Sequence, residues 1–171
     1  MREIVLDTET TGLDPKLGHR IVEIGAVELF NHIPTDNTYH CYINPEREID
    51  QGAFEVHGLS AKFLATFGSF EDVINEFYAF IKDDPLIIHN APFDVGFLNH
   101  ELKLASTSYP MLEEICEIED SLLIARDKYP GQRNSLDALA VRFDVSGYDR
   151  TFHGALLDAN ILADVYMGLT G

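Results

Sequence analysis

The hydrophobic period of this chain changes once along its length, and that change limits the folds open to it. Up to Ile43 apolar side chains recur at about every second position; from Ser69 onward they recur at every third and fourth. Arg2–Asp7 and Ile21–Phe30 therefore read as strands, and Thr38–Ile43 as a third. A loop over Thr10–Gly18, with Gly12, Pro15 and Gly18, and a turn over Asn31–Asn37, with Pro34, separate them. Ser69 and Asp72 make a helix-start pair, and Phe70, Val73, Ile74, Phe77 and Ile81 follow on one helical stripe. Leu86–His89 is a short buried strand. Pro92 then opens a helix to about Ala105, with Val95, Leu98 and Leu102 on one side. Ser121–Lys128, Ser135–Phe143 and Ala155–Gly168 read as further helices. Strands first, then strands alternating with helices, predict an α/β fold: a mixed sheet, an antiparallel meander of three strands plus parallel strands, flanked by helices. No repeat or low-complexity linker divides the 171 residues, so 1–171 is expected to be a single domain.

Charge argues against an unaided nucleic-acid binder. Twelve Lys and Arg face 29 Asp and Glu, for a formal charge of −17, whereas phosphate contacts from cations usually dominate nucleic-acid affinity. Divalent cations in an acidic cleft would reverse the field locally, so the expectation is weak intrinsic affinity for DNA and delivery by a partner. No run of 18 apolar residues is present, which excludes a spanning helix. Met1-Arg2-Glu3-Ile4 leads into a strand without a signal-peptide apolar region. Cys41 and Cys116 form neither a metal spacing nor a disulfide framework, so a cytoplasmic location is expected.

Chemistry concentrates at four acids and one histidine. Asp7 and Glu9 end the first strand two residues apart, on one face, where adjacent carboxylates repel unless a cation or proton lies between them. Alone, such a pair is most simply a solvated strand end. Asp94 falls in the first turn of a helix, where an acid also offsets the macrodipole. Asp158 shares an apolar stripe with Ala155, Leu162, Val165 and Leu169, a place where a carboxylate is costly unless paired or metal-bound. His153 precedes that helix and is free to turn toward the acids as a general base.

The order Asp, Glu, Asp, His, Asp, within Ile4–Gly12, Ile21–Glu28, Val56–Gly58, Ile88–Phe97, Pro130–Leu139 and His153–Leu162, resembles the DnaQ-like, or DEDDh, exonucleases of the ribonuclease H-like superfold. PGQRNSLDAL and HGALLDA resemble most closely the epsilon, or proofreading, branch of bacterial DNA polymerase III exonuclease domains. The resemblance implies two divalent metal ions, Mg²⁺ or Mn²⁺, with Asp7 bridging both, Glu9 and Asp158 completing the first site and Asp94 holding the second. It implies His153 as the base that deprotonates the attacking water. It also implies Thr8, Thr10, His57, His89, Asn90 and Phe93 as substrate contacts. The family often carries an acid five residues before the histidine matching His57; here that residue is Gly52. The implied reaction is 3′→5′ release of nucleoside 5′-monophosphates from a single-stranded or frayed DNA 3′ end, as proofreading. The implied partners are the polymerase III alpha subunit, the theta subunit and the sliding clamp. The family usually has a polymerase-binding tail beyond the nuclease domain, which is absent from this chain, ending at Gly171. Two rival readings stand beside this one: an RNA or short-oligonucleotide exonuclease of the same superfamily, and a non-catalytic protein-docking domain.

Overall fold

The computed structural model describes residues 1–105 and 108–171. Its strands are β1 (Arg2–Thr10), β2 (Ile21–Phe30), β3 (Ile33–Tyr42), β4 (Leu86–Ile88) and β5 (Ile118–Asp120), arranged β3-β2-β1-β4-β5. β1–β2 and β2–β3 pair antiparallel, and β1–β4 and β4–β5 pair parallel. The helices are α1 (Gln51–His57), α2 (Ala61–Leu64), α3 (Phe70–Ile81), α4 (Ala91–Leu104), α5 (Leu112–Ile115), α6 (Ser121–Lys128), α7 (Leu136–Arg142) and α8 (Ala155–Thr170). This is the mixed, helix-flanked sheet that the change of period predicts.

Alternation along β1 sorts the layers. Ile4 and Leu6 join Phe70, Phe77, Phe97 and Leu98 in a core beneath α3 and α4. Val5 points the other way, into a second core with Val27, Ile87, Ala159 and Leu162 beneath α8. Asp7 and Glu9 continue the Val5 face toward α8, and Thr8 the opposite face toward α4. The Ser69–Asp72 capping box forms as expected, with the Asp72 carboxylate accepting from the Ser69 N–H at 2.9 Å.

Three differences from the sequence reading have local causes. The turn expected over Asn31–Asn37 is only Asn31-His32, both at positive φ, the conformation of a tight two-residue hairpin. Pro34 lies inside β3, which tolerates it because β3 is the sheet edge. The first strand runs on through Thr10, because β2 continues to pair with it past Asp7. β5, α1, α2 and α5 have no counterpart in the sequence reading: three or four residues are too few to show a period, and α1 buries only His57 of its seven residues.

One glycine sets the distance between sheet and helix. Gly25 pairs with Asp7, and a Cβ on it would lie 2.3 Å from the Leu156 backbone nitrogen. The start of α8 passes directly over it. Gly25→Ala is expected to push α8 off the sheet, lowering the melting temperature by several degrees, since such overpacking costs about 1–3 kcal/mol. Thermal unfolding followed by circular dichroism checks this.

Candidate active site

Asp7, Glu9 and Asp158 converge, each offering an oxygen within 4.8 Å of the others. The strand supplies two and the first turn of α8 the third, across the approach that Gly25 permits. Asp94 comes from the other layer: its Oδ1 accepts a 2.5 Å bond from the Thr8 hydroxyl, tying α4 to the β1 backbone between the two strand carboxylates. Asp7 Oδ2 is enclosed and has no hydrogen-bond partner. Burial pushes the Asp7 carboxyl well above the usual range, and Asp94, Glu9, Asp158 and Glu23 push it further. Glu9 rises to about 9, from burial and then from the charges of Asp158, Glu23 and Asp94. Asp94 rises to about 7, mainly from burial, against the pull of its bond to Thr8. Burial also raises Asp158, opposed by Arg150 and His153. So many mutually repelling carboxylates around an unpartnered oxygen leave a position that suits cations. The all-oxygen donor set fits hard divalent ions such as Mg²⁺ or Mn²⁺.

His153 stands at the rim, about one third exposed. Its Nδ1 faces Arg150 Nη2 at 3.3 Å and Asp158 Oδ2 at 3.7 Å, and its Nε2 makes no hydrogen bond among the described residues. Burial and the Arg150 charge lower its pKa, against the Asp158 carboxylate, so the ring is neutral at neutral pH and can accept a proton. The His153 N–H donates to the Val56 carbonyl at 2.8 Å, which docks its loop on α1.

A cavity of about 420 Å³ opens beside Glu9, lined by Thr8, Thr10, Leu13, Val56, His57 and Phe93 among others. That volume suits a nucleotide. His57 is held rigidly in its wall: Nε2 donates to the Thr10 carbonyl and Nδ1 accepts from the Leu59 N–H, both at 3.0 Å. The Thr10 hydroxyl donates to the Gly12 carbonyl at 2.6 Å. His89 and Asn90 do not line this cavity; they line a neighbouring cleft. Both His89 ring nitrogens are engaged, Nδ1 with the Ser121 hydroxyl and Nε2 with the Asn134 carbonyl, each at 2.8 Å.

The matching family model is the exonuclease family RNase_T, over residues 4–166. The chain belongs to that family. Among curated relatives it is 53% identical to the DNA polymerase III subunit epsilon of Rickettsia typhi over 171 residues, all of this chain and 75% of that protein. It is 48% identical to the same subunit of Escherichia coli K12, covering 99% of this chain and 72% of the relative. Among solved structures it resembles exonuclease X in complex with 5′ overhanging duplex DNA, with a TM-score of 0.77 and 25% identity, covering 98% of this chain and 90% of that one. The nuclease domain of 3′hExo, a DEDDh family member bound to rAMP, shares the fold, with a TM-score of 0.78 and 18% identity over 99% of this chain and 91% of that one.

Three residues of this exonuclease shape the site without having been singled out in the sequence. Glu23, buried on β2 opposite Glu9, accepts the Ala155 N–H at 2.9 Å through Oε1 and meets His40 at 2.6 Å through Oε2. It thereby fixes the start of α8. Arg150 pairs with Asp158 at 2.7 Å and also with Asp137, joining the His153 loop to α7. Asp158 is thus paired, as an acid in an apolar stripe must be, but its partner lies in a loop whose sequence gives no period. Gly25 is the third, legible only once α8 is seen to cross it.

Proposed function

We propose that this exonuclease trims DNA from the 3′ end, releasing nucleoside 5′-monophosphates, and proofreads for DNA polymerase III. The observation that carries the reading is the convergence of Asp7, Glu9 and Asp158, with Asp94 entering from the opposite layer, around the unpartnered Asp7 Oδ2. Asp7, Glu9, Asp94 and Asp158 would hold a pair of divalent cations, Mg²⁺ or Mn²⁺. When bound, those ions stabilise the attacking and leaving oxygens of an in-line displacement and lower the pKa of the water.

The chain's own residues do the rest. The wall of Thr8, Thr10, His57 and Phe93 receives the terminal nucleotide. The His57 and Thr10 hydrogen bonds keep that wall rigid, so ordering it costs little at the moment of binding. His153 accepts the proton of the attacking water at Nε2 in the tautomer whose Nδ1–H faces the Asp158 carboxylate, rather than the one that accepts from Arg150 at Nδ1. His89 and Asn90 shape the entry to α4 and the cleft beside it.

Residues 1–171 act as one nuclease domain. Its partners in this reading are the polymerase III alpha subunit, the theta subunit and the sliding clamp, which would compensate for the repulsion of DNA by the −17 charge. No helix among the described residues is long and apolar enough to cross a membrane. Both cysteines are free thiols, in keeping with work in the cytoplasm.

The experiment is release of label from single-stranded DNA tagged at either end, with Mg²⁺ or Mn²⁺. Early release of mononucleotides from the 3′ tag, a ladder from the 5′ tag and silence after chelation are expected. Release that persists in excess chelator, or that starts at the 5′ end, would refute the reading. Matched RNA oligomers in the same assay test the RNA-trimming alternative.

A further inference from the structure

We propose that the α6–α7 face is a phosphate track that holds the nucleic-acid backbone outside the terminal-nucleotide cavity. The inference rests on the exonuclease reading and extends it to the length of substrate engaged.

Charge is the first observation. Residues 121–142 carry four of the chain's twelve cations but only two of its 29 carboxylates. Elsewhere in so acidic a chain an arginine finds an acid readily: Arg2, Arg20, Arg47 and Arg150 are all ion-paired. Arg126, Arg133 and Arg142 meet no carboxylate among the described residues, and all three lie on α6, α7 or the loop between them. Asp137, the acid facing this stretch, is already paired with Arg150.

Shape is the second. A cleft of about 430 Å³ lined by His89, Asn90, Arg126, Gln132 and Asn134 adjoins another of about 630 Å³ lined by Arg133, Asp137 and Arg142, and Gln132 borders both. The trough begins at Asn90, which leads directly into the first turn of α4, where Asp94 sits.

Preorganisation is the third. The connecting loop is braced from within. His89 Nε2 bonds the Asn134 carbonyl, and Asn134 Nδ2 donates to the carbonyls of Tyr129 and Gln132. Arg142 donates to Asn134 Oδ1 and to the Arg133 carbonyl, with its guanidinium 4.4 Å from the centre of the Tyr129 ring. The loop is thus fixed while the side chains of Arg126 and Arg133 stay exposed. Neither cleft is lined by Phe, Tyr or Trp, and the one ring, His89, is tied down at both nitrogens, so the trough offers donors for phosphates rather than platforms for bases. Binding there would be independent of sequence and sensitive to salt.

The test compares a small aryl ester of thymidine 5′-monophosphate, which does not reach the trough, with a single-stranded 20-mer and a recessed primer-template. For Arg126→Ala/Arg133→Ala the expected result is ester hydrolysis within about twofold of the parent and kcat/KM on the DNA substrates down about tenfold through KM. The salt dependence on the 20-mer should be shallower by about 1.4 in log–log slope, 0.7 for each lost contact. Arg126→Lys/Arg133→Lys should restore most of the loss. A defect confined to the primer-template would assign the track to the complementary strand; a defect on the 20-mer as well assigns it to the scissile strand. Unchanged DNA kinetics and salt slope, or an equal loss on the ester, would overturn the track. A parent chain that cleaves neither the ester nor DNA would overturn the exonuclease reading with it.

Discussion

Asp7→Asn is expected to abolish nucleotide release while making the metal-free protein harder to unfold. The substitution keeps the shape of the side chain and removes its charge. If Asp7 anchors the proposed cations, losing it forfeits several kcal/mol of transition-state stabilisation, and about 4 kcal/mol corresponds to a loss of roughly a thousandfold. Stability should move in the opposite direction. Asp7 Oδ2 is enclosed without a partner, and burial together with the neighbouring acids opposes its ionisation. Neutralising it relieves that repulsion by about 1 kcal/mol or more, a rise of roughly 2–4 °C in melting temperature for a chain of this size. The same cluster fixes a pH trend. Glu9 and Asp94 titrate in the folded state at about 9 and about 7, above their ordinary values of 4.5 and 3.8. Groups raised in this way favour folding while protonated, and that contribution is lost as pH rises through the folded values. The metal-free melting temperature should therefore fall between about pH 5 and pH 9, and Mg²⁺ or Mn²⁺ should flatten the decline. Scanning calorimetry of parent and Asp7→Asn, with and without metal, checks both signs. A variant less stable than the parent in chelator would contradict this picture of the cluster.

His153→Ala should lower kcat by about 10²–10⁴, the usual contribution of a positioned general base, and leave metal affinity nearly intact. The ring is held at its Nδ1 edge, beside Arg150 and Asp158, and at its backbone through Val56. Its Nε2 edge, which makes no hydrogen bond among the described residues, takes a proton once the ring's own proton is on Nδ1, toward Asp158. Burial and Arg150 favour the neutral form, so the acid limb of the kcat–pH profile should have its midpoint below the ordinary histidine value of 6.5. The variant should lose that limb. Single-turnover cleavage across pH, alongside metal titration, separates the base from a ligand: lost metal binding would make His153 a ligand instead.

Much of the site was legible because its chemistry sits in short local patterns. Asp7 and Glu9 share a face by strand alternation, and Ser69 with Asp72 announces α3 by capping. Asp158 stood out because a lone acid in an apolar stripe needs a partner. What stayed hidden acts across long stretches of chain. Glu23 reaches Ala155 over 132 residues, and Thr8 reaches Asp94 over 86. Neither bond leaves a trace in the spacing of neighbouring residues. Gly25 looks like any strand glycine until α8 is laid across it. The histidines are the sharpest lesson. His57 and His89 present the same side chain in equally distinctive motifs, yet one lines the nucleotide-sized cavity and the other braces the loop beside it. Only the fold decides which way each ring turns.

The most direct test is a calorimetric titration of the metal-free chain with Mn²⁺ in the presence of thymidine 5′-monophosphate. Two ions bound per chain, and fewer or none in Asp7→Asn, is the expected result. A chain that takes up no Mn²⁺, or an Asp7→Asn variant that binds it as the parent does, would contradict the account.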